Sequence, residues 1–146
     1  MDALKNKYVV IVGCGRVGAA LAGSFSSRGA GVVVIDRHEG SFRALTAEFS
    51  GFRLDGDSSE AAVLEKAKMD KADIVVAATN DDNLNLMVAQ FALHVFGVPK
   101  VLARIMDPHL EETARKLGIE TVCPTKLALA AVMDRVSGRT PHEEDQ

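Results

Sequence analysis

The sequence predicts a single α/β domain with three layers, in which helices cover both faces of a doubly wound, six-stranded parallel sheet. Short runs rich in Val and Ile alternate along the chain with longer stretches of helical periodicity. The short runs show no alternation of polar and apolar residues, which indicates strands buried on both faces and therefore a parallel sheet. The length of 146 residues suits one domain, and 47% hydrophobic with 25% charged residues is typical of a globular protein.

The strands are predicted where continuous apolar runs end in glycine, a polar residue or a turn. The first run ends at Gly13 and the second at Asp36, and the third is a short run before the turn at Gly56. The predicted strands are residues 8–12, 32–36, 52–54, 73–78, 101–103 and 120–123.

The helices are predicted from apolar spacing and from their start and stop signals. Phe42, Leu45 and Phe49 share one face of a helix over 41–49, and Gly97 and Pro99 end the longest helix. Pro108 suits a first helical turn, where its missing N–H costs little. The predicted helices are residues 17–28, 41–49, 81–96, 107–118 and 124–136. A further helix, after the second of these, is predicted to be capped by Ser58 or Ser59.

Composition and charge exclude several classes of function. A net charge of −3 and a pI near 5.8 argue against a nucleic-acid partner, since phosphate binding needs a basic face. No run approaches the roughly 20 apolar residues of a membrane span, and the N-terminus lacks the apolar core of a signal peptide. Two distant cysteines indicate reduced thiols in a cytoplasmic protein. We expect residues 1–136 to form the domain and 137–146 to be a mobile polar tail.

A glycine-rich turn, Gly13-Cys14-Gly15-Arg16-Val17-Gly18, joins the first predicted strand to the first helix. The first glycine allows the tight turn, the second lets the backbone approach a pyrophosphate, and the third lets the helix pack against the strand. The helix N-terminus then presents free N–H groups to phosphates. This motif, in its strand–turn–helix context, predicts a Rossmann-like dinucleotide site.

Asp36 ends the second strand 18 residues after Gly18, close to the expected spacing of about 20. A carboxylate there can accept hydrogen bonds from both ribose hydroxyls and would repel a 2′-phosphate. NAD or an adenosine nucleotide is therefore favoured over NADP, although Arg37 weakens that exclusion. Asp57 and Ser58, beyond the third strand, lie beside the adenine side of such a site, and a helix cap is the alternative role for Asp57.

Residues 79–83 follow the fourth strand and face the same crevice, because ligands bind at the carboxyl ends of parallel strands. Ala78 and Thr79 are small enough to admit a nucleotide, and Asn80 opens a polar stretch that also suits a helix cap. Arg104 ends the fifth strand on this side, where it can reach a phosphate or pair with an acid. These residues complete the predicted cofactor site.

Two residues of the glycine turn leave alternatives open. Arg16 is either a phosphate ligand or a solvated surface arginine, and Cys14 is either a redox thiol at a helix N-terminus or a small packing residue. The four histidines do not cluster with cysteines or carboxylates at metal spacing, so we expect no metal site.

No catalytic residue is assigned, because a dehydrogenase needs a second region that holds substrate and supplies an acid or base. The nucleotide fold uses nearly the whole chain, which favours a binding module over an enzyme. The alternatives are a small NAD-dependent oxidoreductase with substrate parts on another chain, and a sensor of the NADH/NAD ratio with a partner outside transport.

Several motifs together resemble the TrkA N-terminal domain, also called RCK_N or KTN, over about residues 7–136. They are the run from Val9 to Gly18, the strand end Val34-Ile35-Asp36-Arg37, the Gly56-Asp57 turn, the stretch 77–83, and Ala103-Arg104. The resemblance implies a cytoplasmic regulatory subunit that acts at the inner face of the membrane and gates a potassium transporter or channel.

The resemblance also implies ligands and partners. Such domains bind NAD(H) or ATP, ADP or AMP, and Gly13 to Gly18, Asp36, Asp57, Ala78 and Thr79 match the site. Arg16 matches an arginine that in relatives can reach terminal phosphates, sometimes across a subunit boundary. The domains form homodimers, often assembled into rings of eight, and residues 126–136 match a crossover helix that packs on the partner. An integral-membrane potassium transporter subunit is the implied further partner.

Overall fold

The structure, a computed structural model, describes residues 2–138 and contains six strands and five α-helices in that range. The strands are β1 Tyr8–Val12, β2 Gly31–Asp36, β3 Phe52–Asp55, β4 Ile74–Ala77, β5 Lys100–Arg104 and β6 Glu120–Val122. The helices are α1 Arg16–Ser27, α2 Ala61–Lys66, α3 Asp82–Gln90, α4 Pro108–Lys116 and α5 Pro124–Val136. Residues 139–146 of the predicted polar tail lie outside the described residues.

All six strands are parallel, in the order β3-β2-β1-β4-β5-β6. The chain builds outward from β1 to β3 on one side and then returns to place β4 on the other side of β1. The predicted doubly wound, three-layer α/β fold is confirmed. A crevice forms at the carboxyl ends of β1 and β4, where the strand order reverses.

The central strand is buried on both faces, which explains its continuous apolar run. Val10 and Val12 join the larger core beneath α2, α3 and α4, whereas Val9 and Ile11 join a second core beneath α1. All four side chains are at most 1% exposed. Burying β-branched side chains on both faces holds β1 rigidly, so the turn that follows it has a defined position.

The predicted helix over 41–49 is wrong. The chain instead forms a short 3₁₀ helix, Glu39–Ala44, and Leu45 then adopts an extended conformation with ψ 135°. Phe42 is nevertheless buried, and Leu45 and Phe49 pack against the same core. Isolated helices this short are marginal, so core packing decided the local conformation while the periodic apolar side chains kept their partners.

The predicted cap of the next helix is also wrong. Helix α2 begins at Ala61, and its N-cap residue Glu60 makes no side-chain cap hydrogen bond. Ser59 donates from both its backbone N–H and its hydroxyl to the Asp57 carboxylate instead, at 2.9 and 2.7 Å. Asp57 and Ser59 therefore shape the turn after β3 rather than capping α2.

The remaining elements agree with prediction to within a few residues. The longest helix runs as α3 and then continues through one wide π-helical turn, Phe91–Val95. Helix α5 follows Pro124 as expected, but none of its residues is buried. Within residues 2–138, no helix combines the length and hydropathy that crossing a membrane requires.

Candidate functional site

The glycine turn between β1 and α1 needs its first and third glycines for steric reasons. Gly13 has φ +104°, and a Cβ on Gly18 would lie 1.8 Å from the Gly13 carbonyl oxygen. A Cβ on Gly15, by contrast, would meet no atom within 4 Å. The outer two glycines therefore build the turn, whereas Gly15 leaves open space on its exposed side.

The N-terminus of α1 offers unsatisfied donors beside that space. Its N-cap residue, Gly15, provides no side-chain cap, and its first turn contains no acidic residue. The first backbone N–H groups of a helix have no intrahelical partner, and the helix dipole adds positive potential there. An anion, a phosphate above all, is the chemical group that this helix end favours.

Asp36 ties the end of β2 to the glycine turn. Its Oδ2 accepts the backbone N–H of Cys14 at 2.9 Å, and its Oδ1 accepts that of His38 at 2.8 Å. The carboxylate therefore lies beside the turn with both oxygen atoms engaged by backbone donors. Each oxygen keeps further lone-pair capacity for a ligand hydroxyl.

A cavity of about 350 Å³ lies at the crevice where the strand order reverses. Nine of the fourteen predicted site residues line it: Gly13, Gly15, Asp36, Arg37, Asp57, Ser58, Ala78, Thr79 and Asn80. Asp81, in the predicted crevice stretch, also lines it, and it caps α3 by accepting the Leu84 N–H at 3.1 Å. The stretch therefore both lines the crevice and caps a helix, as the two alternative predictions for it expected.

Five further lining residues were not predicted from the sequence: Val12, Ile35, His38, Ser41 and Leu84. Val12 and Ile35 are the last apolar residues of their strands, a position that could have indicated the cavity floor. Ser41 begins the segment where the predicted helix was wrong, so the direction of its side chain could not be inferred from helical spacing. His38 precedes that segment and was assigned to no element.

Five predicted site residues do not line the cavity: Cys14, Arg16, Val17, Gly18 and Arg104. Arg16 and Val17 are exposed on the first turn of α1, and Gly18 packs against the glycine turn. The Arg104 guanidinium lies next to the cavity, where its Nη2 donates to Oδ1 of the lining residue Asn80 at 3.1 Å.

The Cys14 thiol is structural in character. Its side chain is buried, and only its backbone N–H is used by the site, through Asp36. Burial raises the pKa of the thiol, and the Asp36 carboxylate raises it further against an opposing effect of Arg53. A high pKa and lack of exposure both suppress thiolate reactivity, which favours the packing role over the redox role.

The carboxylate of Asp57 is stabilised in its charged form. The hydrogen bonds from Ser59 hold the pKa of Asp57 below its usual range, with a smaller contribution from the Arg37 charge. Asp36, Asp57 and Asp81 all line the cavity, as does Gly15, the N-cap residue of α1. The cavity therefore combines a positive helix end, which favours phosphate, with carboxylate acceptors for hydroxyl or amine groups.

Asn85, which was not among the predicted site residues, holds the cavity-lining residue Thr79 in place. Its side chain is fully buried, and Oδ1 accepts from the Thr79 N–H at 2.9 Å and from its hydroxyl at 2.7 Å. Nδ2 donates to the carbonyls of Thr79 and Arg104 at 3.0 and 2.8 Å. The amide thus accepts two hydrogen bonds and donates two, and it joins the carboxyl ends of β4 and β5. A polar residue on the core-facing side of an apolar helix is the sequence signal that could have indicated this role.

A larger and shallower cavity of about 720 Å³ lies against the outer strand β3. Arg43, Arg53, Glu39 and Asp55 give its rim both signs of charge. It contains no part of the glycine turn, and none of its lining residues belongs to an α-helix. Volume alone therefore does not identify the functional site. For metals, residues 2–138 contain no group of three or more His, Cys, Asp or Glu that could hold an ion.

The family model described as the TrkA-N domain matches residues 9–125. A Trk system potassium uptake protein TrkA from Streptomyces coelicolor is 39% identical over 136 residues, covering 92% of this chain and 61% of that protein. A TrkA homolog from Methanothermobacter thermautotrophicus is 33% identical over 132 residues, covering 90% of this chain and 61% of that protein. The chain thus spans about three fifths of the length of these relatives.

Solved structures share the fold at lower identity. The GsuK channel bound to NAD has a TM-score of 0.76 at 21% identity, covering 92% of this chain and 24% of that one. The Kef C-terminal domain of Shewanella denitrificans in its AMP-bound form has a TM-score of 0.71 at 20% identity, covering 91% of this chain and 83% of that one. At these identities the likeness concerns the fold.

Proposed function

Because this chain belongs to the TrkA-N domain family, we propose that it is a nucleotide-binding regulatory subunit of a potassium transporter or channel. It acts at the cytoplasmic face of the membrane through an integral-membrane partner and does not insert into lipid. Binding of NAD(H) or of ATP, ADP or AMP changes the arrangement of a dimer, which opens or closes the partner. A ligand can do so only if it binds the two arrangements unequally.

One observation carries the nucleotide site: the free N-terminus of α1, the Asp36 carboxylate and the loop after β4 converge on one cavity. We place the phosphates over the turn from Gly13 to Gly18 and the ribose hydroxyls on Asp36. The adenine lies toward Asp57 and Ser58, past Ala78 and Thr79. The volume of about 350 Å³ is within the usual range of roughly 300–1,000 Å³ for small-molecule sites.

Two arginines extend this site toward terminal phosphates. Arg16 lies exposed on the first turn of α1, and Arg104 lies beside Asn80 at the cavity edge. A nucleotide with more phosphates would reach further toward them than AMP does, which offers a physical means to distinguish ATP from ADP. The GsuK structure bound to NAD and the Kef structure bound to AMP support adenine-containing ligands for this site.

We favour binding over catalysis because the lining carboxylates all serve the local backbone. Asp36 accepts two backbone N–H groups, Asp57 holds the turn at Ser59, and Asp81 caps α3. Each of them already accepts a hydrogen bond from its own loop or helix, which fits a role in shaping the cavity and binding a ligand. An NAD-dependent oxidoreductase completed by another chain, or a sensor of the NADH/NAD ratio, would use the same cavity.

The nucleotide proposal is tested by a calorimetric titration and a thermal-shift panel with NAD, NADH, NADP, ATP, ADP and AMP. At 100 times its dissociation constant a ligand should stabilise the fold by about 2.7 kcal/mol. We expect stabilisation by NAD or by the adenine nucleotides, and weaker binding of NADP because Asp36 repels its 2′-phosphate. Absence of a shift with all six compounds would contradict the proposal.

The dimer proposal rests on α5, whose apolar side chains lie in solvent. Leu127 and Leu129 are each 62% exposed, Val132 is 58% exposed and Val136 is 76% exposed. Leu129, Val132 and Val136 share one face of the helix at this spacing, and an exposed apolar stripe of this kind marks a protein interface. We propose that it packs on a second copy of the chain as the crossover helix, and that dimers assemble further into rings.

Charge placed on α5 should dissociate the dimer. The double replacement Leu129→Glu with Val132→Glu is expected to yield monomers in sedimentation-velocity runs, because two carboxylates would lose hydration in the interface. Phe52→Glu is the control, since Phe52 is 76% exposed, more than either replaced residue, but lies on β3 at the edge of the sheet opposite β6. Equal sedimentation of the double variant and the wild-type chain would overturn this interface.

A further inference from the structure

Helix α5 is attached to the domain at its first turn. None of its residues is buried, and its N-cap residue Cys123 makes no side-chain cap. Three side chains at this end join it to the body: Thr125 Oγ1 donates to the Met106 carbonyl at 2.7 Å, the Cys123 thiol donates more weakly to the same carbonyl at 3.7 Å, and Lys126 Nζ donates to Glu111 Oε1 at 3.1 Å. The direction of α5 therefore depends on where Met106 and Glu111 lie.

The backbone of Met106 is also bound from the opposite side. It lies in the loop of residues 105–107 between β5 and α4, and its N–H donates to Asp82 Oδ1 at 2.8 Å. The Asp107 N–H donates to Oδ2 of the same carboxylate at 2.9 Å. A single carboxylate on the first residue of α3 thus holds the loop that in turn accepts the Thr125 hydroxyl.

Asp82 adjoins the nucleotide cavity directly. Thr79, Asn80 and Asp81 line the cavity and lead into α3 at Asp82. Asn85, one turn further, ties Thr79 to the end of β5. A ligand that shifts residues 79–81 would therefore move the Asp82 carboxylate together with the loop that it holds, because packed and hydrogen-bonded groups move as units.

From these contacts we propose that Asp82 and Thr125 are positioning residues that couple occupation of the cavity to the direction of α5, through the backbone of Met106. The proposal rests on the proposed function, and it names the contacts through which nucleotide binding would alter the proposed dimer surface on α5. Lys126 and Glu111 form a second attachment on α4, about which the helix can turn. Neither Asp82 nor Thr125 lines the cavity itself.

The first test compares hydrogen–deuterium exchange of the α5 amides in the ligand-free chain at one protein concentration. Asp82→Asn and Thr125→Val each remove a hydrogen bond of this route, so both should raise exchange over residues 125–136 at least threefold. Thr125→Ser keeps the hydroxyl and should exchange like wild type. Thr113→Val is the matched control, because Thr113 is exposed on α4 and bonds only within its own helix. Wild-type exchange in both Asp82→Asn and Thr125→Val would overturn the proposal.

The second test adds saturating ADP or NAD. In the wild-type chain and in Thr113→Val, the nucleotide should change α5 exchange at least twofold. Thr125→Val should bind the same nucleotide within twofold of wild-type affinity and lose that ligand-dependent change. A purely structural Thr125 would raise exchange and keep the ligand-dependent difference, and that outcome would overturn the coupling. If calorimetry shows no nucleotide binding to the wild-type chain, the proposed function fails, while the ligand-free comparison still decides whether Asp82 positions α5.

Discussion

Replacement of Gly18 by alanine is expected to destabilise the domain by about 3 kcal/mol, at the upper end of the usual cost of overpacking. The new Cβ would lie 1.8 Å from the Gly13 carbonyl oxygen, which belongs to backbone and cannot turn aside. Either the first turn of α1 must move off β1, or the glycine turn must open. Denaturant unfolding monitored by circular dichroism measures the loss.

Gly15→Ala provides the matched control for this change. A Cβ at residue 15 meets no atom within 4 Å and its φ is −84°, so stability should stay within about 0.5 kcal/mol of wild type. The methyl group would nevertheless enter the space proposed for phosphate, and nucleotide affinity should fall at least tenfold. A Gly18→Ala variant as stable as Gly15→Ala would show that the close packing of α1 on the turn is wrong.

Replacement of Asp36 by alanine should raise the dissociation constant for NAD or the adenine nucleotides by about 100-fold, equivalent to about 2.7 kcal/mol. The side chain would no longer accept the ribose hydroxyls. It would also leave the N–H groups of Cys14 and His38 without their acceptor, so we expect the domain to stay folded with a stability loss of about 1–3 kcal/mol. Calorimetric titration and denaturant unfolding of the same preparation separate the two effects.

Asp55→Ala is the control for the Asp36 change. Asp55 pairs with Asp36 in register across β3 and β2, is exposed, and does not line the nucleotide cavity. It should leave both the affinity and the free energy of unfolding close to wild type. Unchanged nucleotide affinity in Asp36→Ala would remove Asp36 from the site and leave it only the role of holding the glycine turn.

The sheet and the glycine turn could be predicted because their signals are local. A continuous Val and Ile run such as β1 is stable only where both faces are covered, and a parallel sheet is the arrangement that covers them. Gly13 and Gly18 stand where a left-handed φ and a close backbone approach exclude side chains. Asp36 follows its strand at the spacing that places a carboxylate beside that turn.

The 41–49 segment and Asn85 show where local signals stop. Phe42 was expected in the core and is buried there, but the helix expected to carry it is replaced by a 3₁₀ turn and extended chain. Asn85 belongs to an apolar helix and gains its role only from β4 and β5. In both cases the deciding partners are distant in sequence, and periodicity within one element carries no information about them.

By itself the sequence determined the order of the elements, the doubly wound sheet, the glycine turn and the acid at the end of β2, because each depends on steric and hydrophobic preferences of neighbouring residues. Only the tertiary structure decided which side chains share the cavity and how it connects to α5. That connection runs from Asp82 through Met106 to Thr125. Its hydrogen bonds span 24 and 19 residues of chain, and such contacts form only after the sheet has brought the loops together.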